Sequence, residues 1–324
     1  MIITRTPFRV SLCGGGSDLP SFYEKHGGCV LSTSIKKYMY ITVHPSFGDK
    51  TVLKYSKTEE VSDIRNIEHS YFKQCLKDLN VSGVEITSIA DIPQGTGLGS
   101  SSSFTVGLLN ALYCYKRQYV SKEQLADEAC KVEIDKLGNP IGKQDQYAAA
   151  YGGLNFYKFN KDGSVDVTPV LLEKDAYKKL EENLIMLYVG GIHSASEILK
   201  EQGKNVSSKS DKEKNLLEMC KMTEKLKYEL EHNNIDYVGE TLHKSWLLKK
   251  TLASGISNPE IDKYYDLAIK NGAAGGKLLG AGGCGFLLFY VPKENQETFR
   301  EAMKDLKEVD FEFDHQGSVP IFVN

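Results

Sequence analysis

The chain has 324 residues, 41% hydrophobic and 26% charged, the composition of an ordinary soluble globular protein with room for about two domains. Its net charge of −3 leaves no basic footprint for nucleic acid, and its short lysine runs (Lys36-Lys37, Lys178-Lys179, Lys249-Lys250) are interleaved with acids, as on solvated faces. Seven cysteines, an odd number never spaced C-x-x-C, argue against a disulfide framework and a zinc site and point to reduced thiols in a cytoplasm. Met1 to Leu12 has no apolar core of signal-peptide length, and the apolar runs Leu184–Val189 and Phe286–Val291 are strand-sized. A cytoplasmic protein with no membrane partner is expected.

In chain order, the first third reads as strands. Residues 2–6 and 8–12 alternate, Cys29–Ile35 and Tyr38–His44 are candidates to pair with each other, and Thr51–Tyr55 follows a Gly-Asp turn. Asp63 to Leu79 reads as a helix, with Ile64, Ile67, Tyr71 and Leu79 broadly on one side. Val84–Ile89 alternates as a strand, and Phe104–Gln118 carries Val106, Leu109, Leu112 and Tyr113 at helical spacing. Ser121 is a plausible cap for a helix from Lys122 to about Lys136, which Gly138-Asn-Pro140 breaks. Another helical pattern begins within Gly142–Ala150.

Gly152 to Val170 reads as one or two strands around an Asn-Lys-Asp-Gly turn. Leu171–Asn183 is a charged amphipathic bridge and the candidate domain junction, and Leu184–Val189 opens a new strand. Glu201–Lys214 is polar and weakly apolar, so a mobile loop is expected there. Helices are predicted over about 215–231, 237–252 and 259–271, the last with Asn258 as N-cap and Pro259 at its first position. Gly272–Gly285 is glycine-dense, and Phe286–Val291 reads as the final buried strand. Internal repeats and low-complexity tracts are absent.

The chemistry centres on Ile92-Pro-Gln-Gly-Thr-Gly-Leu-Gly-Ser-Ser-Ser-Ser-Phe104. A strand runs into a turn with glycines at 95, 97 and 99, and the turn opens a helix whose first residues are serines. Glycines let the backbone approach a bulky ligand. N–H groups at a helix start carry about half a positive charge, which suits a phosphate. The serine hydroxyls can cap the helix or reach a magnesium ion. A Walker A loop needs a lysine after Gly99, and the dinucleotide fingerprint needs G-x-G-x-x-G; neither is present. A flexible Gly/Ser connection is the plain alternative.

Two further segments carry unusual chemistry. Pro7-Phe-Arg9-Val-Ser-Leu-Cys-Gly-Gly-Gly-Ser-Asp18 puts Arg9 in an otherwise apolar strand and Asp18 after three glycines. Alone, these also fit an edge-strand charge and an ordinary turn. Lys277-Leu-Leu-Gly-Ala-Gly-Gly-Cys-Gly-Phe-Leu-Leu-Phe289 also fits a glycine hairpin. Taken together and in this order, the three segments resemble the signature motifs of the GHMP small-molecule kinases, the family of galactokinase, homoserine kinase, mevalonate kinase and phosphomevalonate kinase. The resemblance spans residues 5–290, and its central motif, P-x-x-x-G-L-G-S-S-S here, is specific.

Within that family, Thr6–Pro20, Gly27-Gly-Cys-Val-Leu31, Ile35-Lys-Lys-Tyr38 and Gly275–Gly283 are similar to the D-glycero-D-manno-heptose 7-phosphate kinases. Galactokinases place Glu-His at Gly15-Gly16; the missing side chains would open space at the far end of an extended, already phosphorylated sugar. One departure stands out. Related heptose kinases show Thr-Gly-x-x-Arg where this chain reads Val189-Gly-Gly-Ile-His193.

The resemblance implies an α+β, two-domain GHMP kinase fold. Residues 1–180 would form an N-terminal ATP-binding domain of the ribosomal-protein-S5-like α/β type, and residues 181–324 a ferredoxin-like C-terminal domain. It implies ATP-dependent phosphorylation of the anomeric C1 hydroxyl of D-glycero-D-manno-heptose 7-phosphate, giving the 1,7-bisphosphate for nucleotide-activated heptose. Another anomeric sugar kinase (fucokinase- or galactokinase-like) and a non-catalytic sugar and ATP sensor remain alternatives. The implied cofactors are ATP and Mg²⁺, with no nucleic-acid partner; a homodimer is left open.

By the same resemblance, Pro93, Gly95, Gly97, Leu98, Gly99, Ser100, Ser101 and Ser102 would hold the ATP phosphates. Ser101 and Glu133 would ligate Mg²⁺. Asp145 would be the general base beside Arg9, whose charge would keep it ionised. Arg9, Gly14, Gly15, Gly16, Ser17, Asp18, Gly282 and Gly283 would bind substrate. Glu133 also fits a solvated helix position, and Asp145 fits an acid stabilised by a helix dipole. Lys36, Lys37, Lys249 and Lys277 are candidates for a distal phosphate, each also readable as a surface lysine. The histidines at 26, 44, 69, 232, 243 and 315 show no ligand spacing.

Overall fold

The computed structural model describes residues 1–191, 195–206 and 211–324. The chain runs β1 (Ile2–Cys13), α1 (Pro20–His26), β2 (Gly28–Pro45), β3 (Thr51–Lys54), β4 (Thr58–Val61), α2 (Ser70–Asp78), β5 (Val84–Ala90) and α3 (Ser100–Tyr115). It continues through α4 (Lys122–Cys130), α5 (Gln144–Tyr151), β6 (Leu154–Phe159), β7 (Val165–Pro169), α6 (Lys174–Asn183) and β8 (Leu184–Gly190). The remainder is α7 (Ala195–Val206), α8 (Asp211–Glu231), α9 (Tyr237–Lys250), α10 (Pro259–Lys270), β9 (Gly275–Leu278), β10 (Gly285–Tyr290), α11 (Gln296–Ala302), β11 (Lys307–Glu308) and β12 (Val319–Val323).

Two sheets organise these elements. The first has the order β12-β1-β2-β5-β3-β4, with β6 and β7 branching from β2; the second has the order β11-β8-β10-β9. All pairings are antiparallel except β3 with β5. The segments Cys29–Ile35 and Tyr38–His44 do not pair with each other, as the sequence led us to expect. They are halves of one long strand, β2, and both pair with β1. A register shift between Pro7 and Phe8 sets Arg9 opposite Ser34. From Thr6 onward every residue of β1 is buried, because α3, α5, α8 and α9 all pack on this strand. An arginine in that run is enclosed, so Arg9 is not an edge-strand charge.

Helix α3 is buried almost all round, which marks it as the central helix of the first core. Helix α10 begins as predicted: Asn258 accepts from the N–H groups of Glu260 and Ile261, both at 3.0 Å, and Pro259 follows. Ser121 caps α4, accepting from Gln124 N at 3.1 Å. The helix expected to run on to Lys136 changes pitch instead, continuing as a π-helical turn over Lys131–Lys136. The helix expected over Asp63–Leu79 is a short 3₁₀ turn, Ile64–Asn66, followed by α2; His69 and Asp63 cap the two pieces.

The stretch Glu201–Lys214, expected to be a loop, is helical where it is described: α7 runs to Val206 and α8 starts at Asp211, while residues 207–210 lie outside the described residues. Polar composition concealed α7 because few contacts hold it. Ile198 and Gln202, four apart, are buried on its inner side, and α7 packs on α1. Phe286–Val291 is not the last strand either. The chain continues through β11 and returns to the first sheet, where β12 pairs with β1. Position 180 lies within α6, and β12 belongs to the sheet built by the first half. None of the seven cysteines forms a disulfide. Among the described residues no helix is long and apolar enough to cross a membrane.

Candidate active site

A cavity of about 670 Å³ opens where the serine loop, the Gly14–Asp18 turn, the Gly138–Asp145 segment and the β9–β10 connection converge. Its wall includes Arg9, Asp18, Ser101, Glu133, Asp145 and Lys249.

Gly95, Gly97 and Gly99 all have positive φ, at 80°, 86° and 76°. At Gly97 the need for glycine is steric as well: an added Cβ would lie 2.5 Å from the carbonyl oxygen of Leu279, and one on Gly280 would lie 2.5 Å from the Cα of Gly97. The serine loop and the β9–β10 connection therefore touch backbone to backbone. Gly99 occupies the N-cap of α3 and no side chain caps the helix, so of the two roles open to the serine hydroxyls capping is not the one taken. The first turn of α3, left without a side-chain cap, borders the cavity. Ser100, Ser101 and Ser102 border that cavity, whereas Ser103 bonds the carbonyl of Pro7 at 2.8 Å.

Arg9 joins two of the motifs. Its Nε and Nη2 donate to the two carboxylate oxygens of Asp145 at 2.7 and 2.9 Å, and its Nη1 donates to Gly97 O at 2.6 Å. This two-pronged geometry is the strong form of the arginine–carboxylate pair. Asp145 sits in the first turn of α5, and its carboxylate stands 3.2 Å from where a Cβ of Gly99 would be. It therefore lies directly beneath the mouth of the serine loop.

Glu133 is fully buried inside the π-helical turn, so it is not a solvated glutamate. Its Oε2 accepts from Ser102 Oγ (3.0 Å) and Gln146 Nε2 (3.2 Å), while Oε1 has no partner among the described residues. Burial pushes its carboxyl up to about 7, and the charge of Asp145 adds to that. The hydroxyl bonded to Glu133 is that of Ser102, not Ser101; Ser101 lines the cavity beside them. An unpartnered carboxylate oxygen next to hydroxyls is a hard-oxygen donor set that fits Mg²⁺, which takes one or two carboxylates and completes its shell with phosphate oxygens and water.

On the other side of Asp145, the buried Asp18 accepts from Gly16 N (2.8 Å) and Gln144 N (3.3 Å). Burial pushes its carboxyl up, the charge of Asp145 adds to the effect, and the two N–H donors and Lys249 oppose it. Ser17 faces the turn rather than the cavity: its hydroxyl bonds Gly14 O, Cys29 O and Cys29 N. Gly14 packs on Cys29 O, Leu98 lies in the core, and Gly283 N bonds Ile256 O. Gly282 reaches the cavity wall; Pro93, Gly15 and Gly283 do not.

The space expected at Gly16 is filled. The amide nitrogen of Gln202 on α7 lies 2.1 Å from where a Cβ of Gly16 would be. Lys249 and Lys277 are buried, not surface lysines, whereas Lys36 is exposed and paired with Glu312. Lys249, one of the distal-phosphate candidates, lies with Leu242, Ser245 and Trp246 on the inner face of α9. Gln144, Gln146 and Gln202 carried no comparable signal. His193 lies outside the described residues.

Comparison with known families matches residues 68–153 to the GHMP kinases N terminal domain and residues 226–309 to the GHMP kinases C terminal domain. The chain belongs to the GHMP kinases. It is thus a phosphotransferase of two-domain GHMP fold, and ATP is the phosphoryl donor of this family. The kinase is 29% identical to a D-glycero-alpha-D-manno-heptose 7-phosphate kinase of Campylobacter jejuni, over 98% of this chain and 97% of that one. A crystal structure of a putative sugar kinase from Campylobacter jejuni superposes with a TM-score of 0.78 at 28% identity, over 99% of this chain and 98% of that one. That of a D-glycero-D-manno-heptose 1-phosphate kinase from Bacteroides thetaiotaomicron gives 0.83 at 22% identity over the full length of both chains, a likeness of fold.

Proposed function

We propose that this GHMP kinase transfers the γ-phosphoryl group of ATP to the anomeric C1 hydroxyl of D-glycero-D-manno-heptose 7-phosphate, giving the 1,7-bisphosphate. The observation that carries the substrate is the end-to-end similarity to the Campylobacter jejuni heptose 7-phosphate kinase. The chemistry is supported by the Arg9–Asp145 pair, set between a phosphate cradle and a second polar turn.

In this reading Asp145 accepts the proton of the C1 hydroxyl as general base. The C1 oxygen bonds the γ-phosphorus as the bond from that phosphorus to the bridging oxygen of ADP breaks. Arg9 orients Asp145 and lends positive charge to the transferring group, since catalysis of phosphoryl transfer rests on positioning and charge. Gly95, Gly97 and Gly99–Ser102 cradle the ATP phosphates, while Asp18, Gly16 and Gly282 position the sugar. Ser101 and Glu133 would hold Mg²⁺, which when bound supplies charge to neutralise the phosphates. Residues 1–180, together with β12, form the nucleotide half, and the second sheet and its helices close the acceptor side.

Coupled measurement of ADP release tests the acceptor. Release is expected with D-glycero-D-manno-heptose 7-phosphate and Mg-ATP, and little with mannose, fucose or galactose. Preferential turnover of fucose or galactose would replace the heptose reading while keeping the kinase.

A further inference from the structure

Four polar side chains around the Gly14–Gly16 turn are not accounted for by phosphoryl transfer. Gln202 is fully buried with neither amide atom bonded among the described residues, and Ser11 Oγ and Gln144 Oε1 are likewise buried without a partner. Lys249 is 6% exposed, and its ammonium donates to Gly15 O at 3.1 Å. Three of the four converge on one spot. Where a Cβ of Gly15 would be, Gln144 Nε2 and Ser11 Oγ lie 3.6 Å away and Lys249 Nζ 3.8 Å away. Buried polar groups in folded proteins are almost always bonded, so several orphans around one ammonium mark a place where a ligand completes the set.

The position of this cluster decides which ligand. Arg9 bonds the serine loop at Gly97 O and Asp145 faces Gly99, whereas Asp18 bonds the N–H of Gln144 and Lys249 bonds the Gly15 carbonyl, away from that loop in sequence and in contacts. A group held here belongs to the acceptor and sits away from its reacting hydroxyl. The charge is also suited to an anion. Lys277 on β9 is a second buried lysine; burial, helped by the positive charge of Lys249, pushes it down to about 7, a shift that an anion beside the two would relieve. Arg9 already serves Asp145, so the carboxylate left to offset the two lysines is Asp18, itself bonded by two N–H groups.

Resting on the sugar kinase reading above, we infer that Lys249, Ser11 and Gln144, roofed by Gln202 of α7, form the subsite for an anionic phosphate carried by the acceptor. Lys249 supplies the charge and the other side chains supply neutral donors and acceptors around it. Of these, Lys249 and Gln144 line the cavity itself, and Gly15 puts no side chain between them.

The test compares kcat/KM for D-glycero-D-manno-heptose 7-phosphate with that for the unphosphorylated heptose, in the full chain and three variants. Wild type is expected to favour the 7-phosphate. Lys249→Met lowers that preference about 10- to 100-fold, the loss of a charged hydrogen bond. Ser11→Ala, which removes a single oxygen, lowers it a few-fold. Lys250→Met, whose lysine pairs with Asp262 outside the cavity, leaves it unchanged. An equal fall with both acceptors in Lys249→Met, or a raised KM for ATP with both, would overturn the inference by making the lysine structural or a donor contact. Should that variant not fold, an unchanged preference in Ser11→Ala would overturn it instead. Wild type using both sugars equally well sinks this inference alone; wild type consuming ATP with no sugar sinks the sugar kinase reading beneath it.

Discussion

Asp145 and Arg9 define each other. The guanidinium fork fixes both carboxylate oxygens, and its third bond ties the pair to the serine loop, so the proposed base cannot swing away from the phosphate cradle. Asp145→Asn keeps the shape but removes the proton acceptor and puts an amide N–H against a guanidinium that can only donate. Its kcat should fall by about 10²–10⁴, the usual weight of a general base, with KM for ATP little changed. Steady-state kinetics over ATP concentration check this; an Asn variant with wild-type kcat would remove Asp145 from the chemistry.

At the scale of elements, buried charge has an energetic consequence that pH reveals. Lys277 on β9 is held by burial at about 7, below the value near 10.4 of a free lysine. The folded chain therefore binds this proton less tightly than the unfolded chain does. The destabilisation is complete below about pH 7 and fades as pH rises towards about 10. Lys277→Met, similar in volume, should raise Tm by a few degrees near pH 6.5 and by distinctly less near pH 9.5. A gain that does not vary with pH would mean that packing, not charge, is responsible.

Elements also show what could be read from the chain. Strong local signals held: Asn258-Pro259 starts α10, Ser121 caps α4, and the apolar periodicity of Phe104–Gln118 is α3. Readings failed where tertiary contact decides. The π-helical turn that encloses Glu133 has no local signature, and α7, polar overall, is held by docking on α1 and α8. β12 has too little chain to declare itself; it is a strand because β1 offers it an edge.

Across the whole molecule, three separated motifs come to one place because the two sheets meet through glycine backbones. Gly97 and Gly280 approach so closely that neither tolerates a side chain, and Arg9 then links the loop to α5. The motifs and their order were legible because ligand chemistry demands particular residue types. The proposed acceptor wall was legible only in Lys249, a distal-phosphate candidate; Gln144 and Gln202 are ordinary residues made special only by where α5 and α7 place them. The proposed reaction is transfer to the anomeric oxygen of a sugar phosphate. Proton–phosphorus correlation NMR of a reaction with Mg-ATP and D-glycero-D-manno-heptose 7-phosphate tests it most directly. A new phosphorus signal coupled to the anomeric proton, beside the retained 7-phosphate, is the predicted result; a new ester coupled to any other proton, or none with ATP intact, would contradict it.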